Sequence, residues 1–502
     1  MKAQFFVDMH CHSSIKSYAR SFRNDPGIQS ENAANESSIW HVDRPTFFDK
    51  IKNYVATLTN FVQSDATSLL EGRVCLACLS FYTQERGFFV NKFGTGIPSD
   101  LLTILVTEFG KERIDYLQKM TSYWADLKNE MDYLVQREGE TVSIDGRNVT
   151  YKIARSFDDV KVAMRSGQVG ETLVVFIPTI EGAHIFDQVM DCNIPWDKYP
   201  AGITEDALKL VIQRVQDLRA GKDGMIRPAF MTFAHHFWNG LCGHERSLGN
   251  IVRCAINQDN GLHQGFMTSG RAVVHAMLDD LVVDGRNVPP IYIDIKHMSR
   301  KSREDYFEIL KTLTKKIPVF VSHGGVTGLD KPGIGGTTRT PAAQEDLFYS
   351  EPINFYDDEL LLIEETQGIF GIQLDERRIG SEHALRGARG HTRRSKILES
   401  WAKLVWNQIR HMAEVIDAAG RNTAWSIQTL GTDYDGIIDP INGYWTAASI
   451  DSLDGYLLQY AKDYMQNNCP LKLDANRNID PEEIVERVLT NNALNFLSRI
   501  YK

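Results

Sequence analysis

The chain has 502 residues, 43% hydrophobic and 24% charged, with a formal net charge of −10. This is the balance of a globular protein with material for a large core, and with no basic stripe it excludes a nucleic-acid footprint. No window reaches the apolar length of a membrane span, and seven scattered cysteines do not make a disulfide framework. Because the N-terminus runs straight into a strand, without a basic-then-apolar leader, a reducing, cytoplasmic setting is expected.

Short apolar runs alternate with helical patterns from end to end, the signature of strands and helices around a parallel sheet. Eight runs qualify: Gln4 to Met9, Val74 to Ser80, Leu173 to Pro178, Pro228 to Phe233, Pro290 to Ile295, Pro318 to Ser322, Gly368 to Leu374 and Trp425 to Leu430. Helical patterns between them include Ser156 to Arg165, Glu205 to Arg219, Ser269 to Leu281, Lys301 to Lys315 and Lys396 to Ala419. Such a chain predicts a closed α/β fold, a (β/α)8 TIM-type barrel, as one domain over 1–502. Two insertions interrupt it, at about 13–72 and 94–150. The first carries a Ser/Asn-rich stretch, Ser21 to Ser38, then a helix from about Pro45 to Val62; it reads as a lid over the barrel mouth or as structural elaboration. The second carries a long amphipathic helix, Ser99 to Arg137, and a hairpin turning at Asp145-Gly146. The basic concentration Arg377, Arg378, Arg386, Arg389, Arg393, Arg394 and Lys396 reads as a solvated loop, and Cys75-x-x-Cys78 as buried strand thiols.

The residues able to do chemistry stand where the runs end. In Asp8-Met9-His10-Cys11-His12 alternate side chains share a face, so two imidazoles lie side by side on one strand. A lone H-x-H is ordinary polar surface, but a His or an acid follows six of the eight runs. Glu181 and His184 follow the third, His235 and His236 the fourth, His297 the fifth, His323 the sixth, and Asp433 and Asp435 the eighth. The C-terminal mouth of a barrel gathers such residues. As a set they suit a two-metal hydrolytic centre. His10, His12, His297 and His323 supply nitrogens, and Glu181 offers one oxygen to each of two ions about 3.5–4 Å apart. A water shared by the ions would have its pKa lowered towards about 7, giving a bridging hydroxide. Asp433 would take its proton and pass it to the leaving group, and an uncoordinated His235 would donate to the oxyanion.

These motifs, with Ile295-Lys296-His297-Met298-Ser299, Val321-Ser322-His323 and Leu430-Gly431-Thr432-Asp433-Tyr434-Asp435-Gly436 in order, resemble those of the renal (membrane) dipeptidase family of the amidohydrolase superfamily. The closing segment Asn491-Asn492-Ala493-Leu494-Asn495-Phe496 is similar to that family's C-terminal helix. The resemblance implies a binuclear zinc amidohydrolase that cleaves a small peptide or amide bond. It implies His10 and His12 on one zinc, Glu181 bridging, His297 and His323 on the other, Asp433 as acid/base and His235 polarising the substrate. Members of the family commonly pair, so a homodimer is among the states it allows; the partner it implies is a small-molecule substrate.

Two departures qualify the expectation. His12 stands where the dipeptidases have Asp, and Ile353 stands where they have the arginine that holds the substrate carboxylate. Arg377 and Arg378, just past the seventh run, are the candidates for a substitute clamp. One rival is a metal-dependent phosphoesterase or lactonase on the same barrel, since Asp8-Met9-His10-Cys11-His12-Ser13-Ser14 also resembles the opening of the polymerase-and-histidinol-phosphatase family. A barrel that binds metal or ligand without turnover is the other, kept open by Ile353.

Overall fold

The computed structural model describes residues 5–23, 35–46, 49, 61–89, 109–191, 195–198, 202–249, 256–332, 346–467 and 469–502. Eight strands carry the frame: β1 (Phe6–Cys11), β2 (Val74–Phe81), β3 (Leu173–Glu181), β4 (Phe230–Thr232), β5 (Tyr292–Asp294), β6 (Val321–Gly324), β7 (Phe370–Ile372) and β8 (Gln428–Leu430). Parallel ladders join β1 to β2, β2 to β3, β3 to β4, β4 to β5, β6 to β7, β7 to β8 and β8 back to β1. The remaining junction, β5 to β6, is bridged by the Ile295 N–H donating to the Phe320 carbonyl at 3.2 Å. Beside it the Ser322 N–H donates to the Asp294 carboxylate at 3.1 Å. The eight thus form a ring, the (β/α)8 arrangement that the alternation of runs predicts. Every residue of β1, β2 and β3 is buried, which is why these strands read as unbroken apolar runs.

The helices follow from capping and periodicity. Glu205–Ala220 begins where the Thr204 side chain accepts the Ala207 N–H, carries Glu205 and Asp206 in its first turn and ends on Gly221 at φ 65°. Its buried Val211, Val215 and Leu218 recur at helical spacing. Phe157–Arg165, Thr268–Leu278, Arg300–Leu310 and Arg394–Ala418 fall where the patterns predict them.

Several expectations are corrected. The continuous helix Ser99 to Arg137 is, over its described part, two helices, Lys111–Lys119 and Tyr123–Val135. Met120 and Ser122 are extended between them, and the Ser122 side chain restarts the helix by accepting the Ala125 N–H. The Asp187 carboxylate fixes this break by accepting from Ser122 Oγ at 2.6 Å and from the Tyr123 N–H at 2.5 Å. The expected hairpin is present, Val142–Ile144 against Arg147–Ile153, with Asp145 at φ 50° and Gly146 at φ 77° as its turn demands. The helix expected from about Pro45 to Val62 lies almost wholly outside the described residues. Of the basic concentration, Arg386, Arg393, Arg394 and Lys396 are exposed as expected, but all except Arg393 lie in the helices Glu376–Ile379, Glu382–Arg389 and Arg394–Ala418 and not in a loop, and Arg378 is buried.

A second hydrophobic cluster, apart from the barrel core, joins Ile15 and Ala19 of the first insertion to Ile114, Leu117 and Tyr123 of the second. It also takes in Tyr82 and Phe88 after β2 and Phe237 and Leu248 after β4. Both insertions are therefore anchored on loops at the end of the barrel where the strands terminate. Cys75 and Cys78 are buried free thiols, and no helix among the described residues is long and apolar enough to cross a membrane.

Candidate metal centre

Each chemically capable side chain is placed by a strand end. Asp8 of β1 locks the neighbouring strand, its Oδ2 accepting from Thr432 Oγ1 at 2.6 Å and its Oδ1 from the Thr432 N–H at 2.9 Å. The ladder then continues past β8: the Asp433 N–H donates to the His10 carbonyl and the His12 N–H to the Tyr434 carbonyl, each at 2.9 Å. This zips Asp433 into register beside His10 and His12. Asp433 and His297 both take left-handed backbone, φ 61° and 65°, which non-glycine residues adopt at a cost. Gly182, after Glu181, has φ 94°, and a Cβ there would stand 2.3 Å from His184 Nδ1. Glycine alone lets the chain turn directly behind the carboxylate.

The side chains converge on Glu181. Its Oε2 lies 3.0 Å from His12 Nε2, 3.5 Å from His10 Nε2 and 3.4 Å from His235 Nε2. Its Oε1 lies 3.4 Å from His297 Nε2 and 3.6 Å from His323 Nε2. Asp433 closes the other side, with Oδ1 3.6 and 3.7 Å from His10 and His12 and Oδ2 3.8 Å from His323. His10 and His12 bring their Nε2 atoms within 3.2 Å of each other. All of these residues are buried.

Outer partners set the tautomers. A carbonyl only accepts, so His12 Nδ1–H donates to the Ser80 carbonyl at 3.0 Å, and Nε2 is left to face the cluster. Ser322 Oγ–H donates to Asp294 Oδ2 at 2.5 Å, so the same oxygen accepts from His323 Nδ1–H at 2.9 Å, and His323 Nε2 is a bare lone pair. That atom and Glu181 Oε1 are buried without a hydrogen-bond partner. Burial pushes the His297 imidazole down to about 3 and His323 well below its ordinary range, keeping both neutral. Burial also lowers His12, but Asp433 and Glu181 outweigh it and hold the group up at about 10. Carboxylates that favour a proton there favour a metal cation on the same ground. Glu181 itself, against the burial that raises it, is held well below the carboxylate range by His235, His10 and His12. Three donor groups occur among the described residues: His10, His12, Glu181 and Asp433; Glu181, His297 and His323; and His235, His236 and His297, which shares only His297 with the others. Buried imidazoles around shared carboxylates, with His323 Nε2 and Glu181 Oε1 unmet by hydrogen bonds, fit divalent transition ions.

Four residues around this core were not singled out by sequence. Glu85, from the loop after β2, accepts from His235 Nδ1 at 2.7 Å, from Tyr82 Oη at 3.1 Å and from the Phe237 N–H at 3.2 Å. Burial would raise it, but His235 and His184 bring its carboxyl down to about 2. Burial lowers His235, yet Glu181 and Glu85 raise it above its ordinary value overall. Gln373, after β7, donates from Nε2 to Asp433 Oδ2 at 2.7 Å and accepts from Lys296 Nζ at 3.2 Å. Since an ionised carboxylate can only accept, the Gln373 amide is oriented with its NH2 on Asp433. Asp294 completes the set through Ser322. A search for histidines and acids at strand ends passes over an amide and a lysine, and Glu85 stands four residues beyond Phe81, where β2 ends.

Arg377 and Arg378 both line the mouth, a narrow cavity shared with Glu181, His235, His297, Lys296, Gln373 and Asp433. Arg377 grips Asp375 with Nε at 3.0 and 3.1 Å and Nη2 at 2.8 Å. Ile353 is buried and is not among the residues lining that cavity. Asp435 turns away, accepting from Ser64 Oγ and the Ser64 N–H at 2.8 Å and from the Gln63 N–H, and so pins the return of the first insertion.

Fold and site together define an α/β barrel with a buried histidine–carboxylate cluster of divalent-metal type at the strand ends. No family model and no curated protein sequence matches the chain. Among solved structures it is similar to a dipeptidase described as a metallopeptidase of family M19, at 13% identity over 99% of this chain and 98% of that one, TM-score 0.49. It is similar to the probable dipeptidase PvdM from Pseudomonas aeruginosa, at 12% identity over 99% and 95%, TM-score 0.49. A metallopeptidase from Rhodobacter sphaeroides, solved with a phosphinate mimic of the dipeptide L-Ala-D-Ala, matches at 14% identity over 99% of each chain, TM-score 0.46.

Proposed function

We propose that the chain is a metal-dependent hydrolase, a dipeptidase-like amidohydrolase that uses two divalent cations, zinc by its ligand set, to cleave a small peptide or amide bond. The observation that carries the reading is Glu181, which turns one oxygen to His10 and His12 and the other to His297 and His323. In this reading His10 and His12 would hold one cation and His297 and His323 the second, with the Glu181 carboxylate offered to both. Such a pair of cations, when bound, polarises the scissile carbonyl and acidifies the attacking water.

The chain's own residues divide the remaining work. Asp433 accepts the proton of the attacking water and returns it to the leaving nitrogen, and the Gln373 amide holds it by a 2.7 Å hydrogen bond to Oδ2. His235 donates from Nε2 to the oxyanion, with Glu85 on Nδ1 favouring its protonated form. The small, polar cavity suits a small-molecule substrate, and Arg377 and Arg378 stand on its wall as substrate-binding candidates.

The test is metal analysis of the purified protein, followed by a screen of dipeptides, N-acyl amino acids, lactones and phosphodiesters on the metal-loaded form. Two equivalents per chain and amide hydrolysis are expected, with about one equivalent lost in His297→Ala. A wild-type protein that dialyses metal-free at neutral pH with its fold intact would overturn the reading, and turnover of the phosphodiester or lactone alone would transfer it to the rival chemistry.

A further inference from the structure

Two buried cations in the mouth have no carboxylate of their own. Lys296 is 1% exposed, and its Nζ has one hydrogen bond among the described residues, to the neutral oxygen of Gln373 at 3.2 Å. Arg378 is 7% exposed and spends Nη1 on the Arg377 carbonyl at 3.2 Å and Nη2 on the Ser247 carbonyl at 2.5 Å. The neighbouring Arg377 behaves differently, since the Asp375 carboxylate neutralises it. A buried ammonium paired only with an amide is poorly compensated, and burial together with the nearby Arg378 guanidinium pushes Lys296 down to about 7; two such basic groups facing one cavity make a place for an anion that would compensate both.

The carboxylates already in that cavity do not serve. Glu181 and the Oδ1 atom of Asp433 face the histidines, Asp433 Oδ2 faces Gln373, and Asp375 is gripped by Arg377. Lys296 follows β5 and Arg378 follows β7, and Lys296 reaches Gln373, also after β7, so an anion between the two cations lies on the β5-to-β7 side of the mouth.

We propose that Lys296 and Arg378 together bind the carboxylate of the substrate, which makes this a site for small acidic amides, such as an N-acyl amino acid or a dipeptide with its free C-terminus. The inference rests on the proposed function for the identity of the reacting bond. The anion site itself does not depend on turnover.

The experiment is equilibrium binding by calorimetry on the metal-loaded protein, using methanesulfonylglycine and its carboxamide, whose sulfonamide is not an amidohydrolase substrate. The wild type is expected to bind the acid at least tenfold more tightly than the carboxamide, the order of one charge-assisted hydrogen bond (about tenfold or more). In Lys296→Met that preference should fall to within about threefold while carboxamide affinity holds, and Lys296→Arg should restore most of it. Metal content and melting temperature check that each variant is folded, and Arg378→Met gives a second reading from the other cation. Equal binding of the two probes by wild type, or a preference that survives in both Lys296→Met and Arg378→Met, overturns the proposal. A preference kept by Lys296→Met but abolished by removing the metal assigns the carboxylate to the ions and overturns it too. If the anion site behaves as stated and no amide is ever cleaved, the proposed reaction fails while this assignment stands.

Discussion

Two of the sites where the described residues bury charge do so in opposite ways. Within the insertions, Arg113 and Asp126 are almost fully buried and meet as a fork, Nη1 to Oδ1 and Nη2 to Oδ2, each at 2.7 Å. Tyr18 adds a hydrogen bond to Asp126 at 2.9 Å, and the guanidinium lies over the Tyr18 and Phe22 rings. At the barrel mouth, Glu181 Oε1 and His323 Nε2 have no hydrogen-bond partner, and the neighbouring nitrogens crowd towards the same carboxylate. A cluster that answers its own charges holds segments together. One that aims unmet lone pairs at a common point is built for something it does not itself contain.

The largest expected effect separates the two directly. Asp433→Asn should keep its metal and fold but lose about 10²–10⁴ in kcat, because an amide cannot take the proton that the carboxylate accepts. Metal analysis beside steady-state kinetics checks this, and near-wild-type turnover would remove Asp433 from the mechanism. The counterpart in the insertions is Asp126→Ala, which leaves the Arg113 guanidinium buried and unpaired at a cost of about 3–5 kcal/mol. Denaturant unfolding should show that loss, with the metal content of the folded fraction unchanged. Loss of metal without loss of stability would abolish the distinction between the clusters.

A smaller effect is expected at the rim of the metal centre. Glu85→Gln keeps the shape but removes the charge that faces His235 Nδ1, and outer partners of this kind are worth about 10–100-fold in activity. The decrease should fall on kcat more than on KM, because His235 is placed to meet charge that develops during the reaction. A KM effect alone would make Glu85 a packing residue.

What was legible in the sequence follows the same division. The ring of strands could be read because strands buried on both faces leave continuous apolar runs, and the donors because strand ends must meet at one mouth. His10, His12, Glu181, His235, His297, His323 and Asp433, drawn from six strand ends, do come together there. Gln373 and Lys296 carry no such signal: one is a neutral amide, the other a lysine whose burial only the fold reveals. The break at Met120–Ser122 was hidden because its cause, the Asp187 carboxylate, lies 65 residues from Ser122. Arg378 was read both within a solvated basic run and as a candidate clamp at the mouth, and the short helix Glu376–Ile379 in fact buries it.

The smallest effect concerns Glu130, which joins the insertion cluster to the segment just after β1 that carries His12 and Ser14. Ser14 Oγ–H donates to Glu130 Oε1 at 2.6 Å, while Oε2 is buried without a hydrogen-bond partner. Burial raises the Glu130 carboxyl to about 7; Ser14 opposes this and Asp126 reinforces it. Since the folded pKa lies above the unfolded one, the group's contribution to stability is complete below about 4.5 and is lost as the pH rises through about 7. Each unit of such a shift corresponds to about 1.4 kcal/mol as an upper bound. Glu130→Gln keeps an acceptor for Ser14 and has nothing to ionise, so wild type should lose stability relative to the variant between pH 5 and 8. The difference between the two proteins is the measurement, because Asp65 and Glu376 are also raised to about 7 and titrate in both. A stability difference that stays constant across that interval would mean that Glu130 is ionised throughout and that its pairing is stronger than its burial.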